Sequence, residues 1–241
     1  MSYSNQKLFT LEEEVSFWGL QVAEHFYLLY LLTVPEGIIQ ANLPKVNNMD
    51  LRQEAIFYYN QWRNLISGSW TLEKVKNLIL SSRDYKERLL KYLSSGIWIG
   101  WISYSMVKHM LSELEYFWSK ITGAGYNVRD ELLFWLFHDE TETAALEKLI
   151  DPSEEIISSL LRDYIARTQK LSQDLSDERN PLRKEGIDFQ LEYRNIVAEL
   201  EERISSKTLL SNIPHLLTAH VLREAQHSLE IFQRLGYRLN V

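Results

Sequence analysis

The chain has 241 residues, 45% of them hydrophobic and 12% aromatic, with a formal net charge of -7 and no cysteine. That is too apolar and too rich in Trp and Tyr for disorder, and the lack of cysteine excludes disulfides, thiolate nucleophiles and sulfur-ligated metal. The first 125 residues hold 12 basic and 12 acidic side chains, so the negative balance lies entirely after them; with no basic stripe, a nucleic-acid partner is not expected.

Glycine (9) and proline (5) are scarce, and apolar residues recur about every 3.6 positions without sustained alternation, which predicts an all-α class. In chain order, helices are expected over 8–33, 50–67, 71–94 and 98–122, then 127–150, 153–175, 184–207 and 212–235. Thr10 with Glu13 forms a capping box, and Asp151-Pro152 is expected to open a helix with proline in its first turn. Gly96, Gly123 and Gly236 stand where helices should stop. The segment from Pro35 to Met49 predicts a long crossing between the first two helices, and Ser176 to Gly186 a polar, mobile connection. Four helices joined mostly by short loops, twice over, is the pattern of up-down-up-down four-helix bundles.

The expectation of a doubled bundle comes from an internal repeat. Glu14-Val-Ser-Phe17-Trp18 with Pro35 recurs as Glu131-Leu-Leu-Phe134-Trp135 with Pro152, each displaced by 117 positions. His109-Met-Leu-Ser-Glu113 recurs as His220-Val-Leu-Arg-Glu224, displaced by 111. Two copies are therefore expected, 1–124 and 125–241, with Gly123-Ala-Gly125 at the boundary. No window approaches the roughly 18 uninterrupted apolar residues of a membrane span. The first residues also lack a basic region leading into an apolar one, so a cytoplasmic protein without a membrane partner is expected, and self-association into a homo-oligomer stays open.

Residues three, four and seven apart share a helix face. His220, Glu224 and His227 thus form one ridge on the last helix, and His138 and Glu142 lie one turn apart on the fifth; apolar neighbours turn both ridges toward a core. In the first copy the matching positions are His109, Glu113 and Tyr116, facing Gln21 and His25. Burying carboxylates and imidazoles is costly without a compensating partner, and a divalent cation would satisfy them together. Carboxylate with imidazole suits iron first, with manganese or zinc as alternatives, rather than magnesium. Glu224-Ala-Gln-His227 has the Glu-x-x-His spacing of di-metal carboxylate bundles, but it occurs once, which favours a mononuclear or incomplete site with Glu24 and Glu54 as extra ligands.

Other residues read more plainly. His215 is expected at the surface or in a cap, Phe17-Trp18 and Phe134-Trp135 in the core, and the acidic stretches Asp139 to Glu142 and Glu199 to Glu202 in solvent, Glu142 excepted. No Ser-His-Asp arrangement, phosphate-cradling glycine loop or His-Glu-x-x-His motif supports a hydrolase or nucleotide-binding protein.

The chain resembles a bacterial family, domain of unknown function 2935, over nearly its whole length. The likeness is carried by Phe17-Trp18 with Glu24-His25 and Pro35, by Phe134-Trp135 with Leu149-Ile-Asp-Pro152-Ser-Glu154, and by His220-Val-Leu-Arg-Glu224-Ala-Gln-His227. It implies two tandem ferritin-like bundles that bind metal. Where the family shows a second Glu-His pair on the fifth helix, this chain has Thr141-Glu142, with His138 one turn earlier.

The expected function is metal binding at His138, Glu142, His220, Glu224 and His227, and in the first copy at His25, His109 and Glu113, with oxygen- or peroxide-linked redox chemistry as its natural use. The alternative is a non-catalytic structural or interaction protein whose buried His-Glu pairs are hydrogen-bonded without metal.

Overall fold

The computed structural model describes residues 8–39, 42–177 and 184–236, with only the backbone of Lys184 and Gly236. It is all-α, with eight α-helices and no strand among the described residues. One compact unit, Phe9–Gly125, contains α1 (Leu11–Leu32), α2 (Leu51–Ser67), α3 (Leu72–Ser94) and α4 (Tyr104–Thr122). The other takes in Leu8 and the chain from Tyr126 onward and contains α5 (Val128–Glu147), α6 (Glu155–Ser176), α7 (Lys184–Ser205) and α8 (His215–Gly236). No described helix is long and apolar enough to cross a membrane.

Contacts within each unit give helix directions. In the first, Arg52 Nε near the start of α2 donates to the Tyr30 carbonyl near the end of α1, while Trp62 and Ile66 late in α2 pack against Gly19 early in α1. α1 and α2 are therefore antiparallel. Tyr85 on α3 donates to the Leu51 carbonyl at 2.9 Å, and Trp62 Nε1 to Ser82 at 2.9 Å, tying α3 to α2. In the second unit, Arg162 and Gln169 on α6 reach Glu147 and Glu140 on α5, again antiparallel. Tyr164 stacks between Phe189 and Tyr193 of α7, with both centroid separations 4.6 Å. Each unit is thus a helical bundle whose first and last helices are neighbours.

The same backbone clamp joins first and last helix in both. After α1, Thr33 bridges Gly100 ahead of α4, with Val34 N–H donating to Ile99 and Trp101 N–H to Leu32. After α5, Ile150 bridges Ser211 ahead of α8, with Asp151 N–H donating to Leu210 and Asn212 N–H to Leu149. The paired residues are related by the displacements of 117 and 111 that the sequence repeat shows.

This clamp accounts for the main differences from the sequence expectation. The fourth and eighth helices begin at Tyr104 and His215, later than 98 and 212, because the preceding backbone is engaged in the bridge. The sixth begins at Glu155 rather than at Asp151-Pro152: the Asp151 carboxylate accepts from the Ser153 N–H at 2.9 Å and hydroxyl at 2.6 Å, holding a turn. The Thr10–Glu13 capping box is present, as are left-handed Gly96 and Gly123 after α3 and α4. Of the long crossing expected from Pro35 to Met49, residues 40–41 lie outside the described residues, and the remainder turns at Asn47 and Asn48 with positive φ. Of the connection expected over Ser176 to Gly186, residues 178–183 lie outside the described residues, and Gly186 belongs to α7. Gly236, where a stop is expected, is the last described residue of α8, and positions 237–241 lie outside the described residues.

Gly100 adopts φ +138°, and a Cβ there would overlap the Leu32 carbonyl and sit 2.9 Å from Thr33 Cα. Both obstacles are backbone and cannot rotate away. Gly100→Ala is expected to destabilise the first unit by about 2 kcal/mol or more, read as a lower denaturant midpoint, whereas Ser211→Ala should change little.

Candidate metal centre

Both α1 and α5 bury side chains around most of their circumference, so their polar residues have little solvent face to occupy. His25, Gln21 and Glu24 on α1 are buried, as are His138, Asp139 and Glu142 on α5. His25 and His138 each face the last helix of their own bundle.

In the first bundle, Glu113 is completely buried between two imidazoles. His109, one turn earlier on α4, places Nε2 2.7 Å from Glu113 Oε1, and His25 from α1 places Nε2 3.2 Å from Oε2. Gln21 is buried one turn along α1, and Tyr116 is buried with its ring 5.3 Å from that of Trp18. The same core contains Lys86, fully buried, whose Nζ donates to the Met110 carbonyl at 2.6 Å and lies 5.8 Å from the Phe26 ring. The amphipathic pattern of α3 gave no sign of this lysine. Glu54 is ion-paired with Arg88 of α3, so the structure gives it a cationic partner in place of the ligand role considered for it. Burial raises the Glu54 carboxyl, and Arg88 opposes the rise.

In the second bundle, Glu224 holds the equivalent place, completely buried. Its Oε2 lies 3.1 Å from His138 Nε2 of α5 and 3.4 Å from His220 Nε2 one turn earlier on α8. Its other oxygen, Oε1, has no hydrogen-bond partner. Glu142 Oε2 is 3.8 Å from His138 Nε2. Burial pushes the Glu224 carboxyl up, but the charges of His220 and His138 and a contact with Glu142 hold it well below the usual carboxylate range. His227, on the same ridge, is buried with its ring 5.4 Å from Trp135. His215 pairs with Glu201 at 2.6 Å near the surface, as expected.

Around this cluster is a polar layer that sequence reasoning missed. Asp139, expected in solvent, is fully buried: its Oδ2 accepts from Gln190 Nε2 at 2.6 Å and from the Ser228 hydroxyl at 3.3 Å. Burial raises the Asp139 carboxyl well above its ordinary value, Gln190 and Ser228 oppose that, and Glu224 adds to it. Tyr193, also fully buried, reaches the Asp139 carbonyl and Glu142 Oε2, each at 3.4 Å. Only the 3.6-residue register of Asp139 with Trp135 and Leu146, both buried on the same helix, could have placed it inside.

The second bundle thus gathers two carboxylates and two imidazoles. Donors sharing one ion at bonds of about 2.0–2.2 Å sit roughly 3.0–3.5 Å apart, by the geometry of octahedral or tetrahedral coordination. The 3.1 and 3.4 Å separations match that spacing and 3.8 Å lies slightly outside it. All four belong to the buried His and Glu side chains of the described residues that could hold a metal ion, and nitrogen and oxygen donors fit a transition metal.

No family model matches the chain, so the likeness to domain of unknown function 2935 rests on its motifs. An uncharacterised protein of Acanthamoeba polyphaga mimivirus is 29% identical over 265 aligned positions, covering 95% of this chain and 82% of that protein. Among solved structures, the crystal structure of an uncharacterised protein from a Bacillus cereus strain matches with a TM-score of 0.73 at 15% identity, over 92% of this chain and 90% of that one. The latter likeness shows a shared fold.

The buried Asp139 carboxyl makes stability depend on pH with a definite sign. A carboxyl whose folded pKa is raised contributes stability below its unfolded value, and that contribution is lost as pH rises through the folded value. Asp139→Asn removes the buried charge and offers an amide to Gln190 Oε1, which has no partner. At pH 8 the variant should be more stable than the parent by on the order of 1 kcal/mol in chemical denaturation, with the gap closing toward pH 4. A variant less stable at pH 8 would contradict this account.

Proposed function

We propose that the protein binds a divalent transition metal in its second bundle, iron in the first place with manganese or zinc as alternatives. His138, Glu142, His220 and Glu224 are the ligands, and His227 is a further imidazole on the same ridge. The observation that carries this is the Glu224 carboxylate, completely buried, with one oxygen shared by two imidazole nitrogens and the Glu142 carboxyl against it. Burying a charge in that way is costly unless hydrogen bonds, protons or an ion compensate it.

Each unit is read as a ferritin-like bundle, the two copies spanning 1–124 and 125–241 in a cytoplasmic protein. The repeated clamp between first and last helix supports the copies' common origin. Bound in the second bundle, iron or manganese would supply Lewis acidity and one-electron chemistry toward oxygen or peroxide. The chain's own contribution is to fix the donor geometry, exclude bulk water and surround the site with the Asp139, Gln190 and Ser228 network.

The first bundle favours the structural reading. Glu113 has an imidazole on each oxygen, and the buried Lys86 places a cation in the same core. There, proton-sharing His-Glu pairs can specify helix register without an ion, although His25, His109 and Glu113 keep a donor set that a metal could use.

Two measurements separate the copies. Protein from metal-supplemented culture is expected to carry near-stoichiometric transition metal by elemental analysis, and excess metal should raise the melting temperature, by about 2.7 kcal/mol of stability at 100 times the dissociation constant. Glu224→Ala should abolish both effects; metal-free parent protein under these conditions would refute the proposal. Glu113→Gln is expected to leave metal content unchanged while costing about 3 kcal/mol in denaturant, as breaking a buried pair does. Loss of metal on that substitution would move the site to the first copy.

A further inference from the structure

Beside the second-bundle cluster, Tyr193 is placed with its hydroxyl against Glu142, a proposed ligand. It is fully buried, and its ring is fixed by near-parallel stacking on Tyr164, 13° between planes. Fixed in that way, its hydroxyl reaches Glu142 Oε2 and the Asp139 carbonyl at 3.4 Å with Thr143 as a further hydrogen-bond partner; burial and the Glu142 and Asp139 charges push its pKa well up, so loss of the proton calls for a cation at the oxygen. Hydroxyl hydrogen bonds are normally about 2.7–2.8 Å, so this group is held at the outer limit of both measured contacts. The position has no counterpart in the first bundle: the residue displaced by 111 is Ser82, which accepts a 2.9 Å bond from Trp62 on the α2 side of its core.

Resting on the metal-binding reading above, with the ion's charge raised from two to three, we infer that Tyr193 is an additional ligand, a phenolate that makes the second-bundle site hold iron in the ferric state. The oxygen stands next to Glu142 and is held by a ring that stacking keeps from swinging away, so it can join the donor set by a small shift. Phenolate is a hard anionic donor, matched to a small trivalent ion over a divalent one. Coordination exchanges the hydroxyl proton for the ion and changes no oxidation state: tyrosine and ferric ion give the ferric phenolate and one released proton. With Glu142 and Glu224 the set would hold three anionic oxygens, which balances the charge of a trivalent ion, and His138 and His220 supply neutral nitrogens.

A ferric phenolate is coloured, because charge transfer from the ring to the metal absorbs visible light, whereas carboxylate and imidazole ligands on ferric iron give no strong band there. The full chain is loaded with ferric citrate, desalted, and measured for iron content and visible absorption, alongside Tyr193→Phe. Tyr193→Phe keeps the ring that stacks on Tyr164, and circular dichroism verifies that the variant folds. The expected result is a visible band in the parent, lost in Tyr193→Phe at similar initial iron content, with iron passing to a chelator at least tenfold faster from the variant. Iron bound without a band, or a band undiminished in Tyr193→Phe, overturns the phenolate ligand and leaves the metal site standing. No iron bound by either protein overturns this inference, and no transition metal of any kind in protein from metal-supplemented culture overturns the site with it.

Discussion

Complete burial of one glutamate in each bundle is the constraint on which the interior depends. Glu113 and Glu224 have no measurable exposure, and each takes one imidazole from its own helix a turn earlier and one from the first helix of its bundle. Moving a carboxylate from water into a core is so unfavourable that every neighbour must answer to it. The two bundles answer differently. The first divides its imidazoles between the two oxygens and adds a buried lysine; the second concentrates both imidazoles on one oxygen, adds Glu142, and surrounds the cluster with Asp139, Gln190, Ser228 and Tyr193.

The backbone clamps give that chemistry its frame. Donors come from the first and last helices of each unit, and the Thr33–Gly100 and Ile150–Ser211 bridges fix those helices at one end. Facing side chains of antiparallel helices then meet in register: His25 with Glu113, Trp18 with Tyr116, His138 with Glu224, Trp135 with His227. The positive-φ backbone at Gly100 belongs to this arrangement, because the chain must approach Leu32 and Thr33 more closely than a side chain allows.

Much of this was legible in the sequence. Helix order followed from period 3.6, and the i, i+4 histidine-glutamate pairs were visible because a helix turns spacing into adjacency. The repeat predicted which helices would face one another. Hidden from the sequence was whatever depends on non-local contact. The late starts of α4 and α8 come from bridges formed across 60 or more residues, which no local signal announces. Asp139 sits in an acidic run that reads as solvated, and Lys86 on a helix whose pattern places lysines outside; both are interior only because another helix lies over them. The role of Glu54 was misjudged for the same reason, since Arg88 reaches it from a helix 34 positions away in the chain.

The position of the donors also bears on synthesis. His138 and Glu224 are separated by 86 positions, and each unit contributes its decisive glutamate from its final helix. A nascent chain emerging from the ribosome therefore exposes isolated imidazoles and carboxylates for seconds before the helices that bury them are all present. On the metal-binding reading, a half-made second bundle would capture a cellular cation only weakly until the closing helix α8 docks.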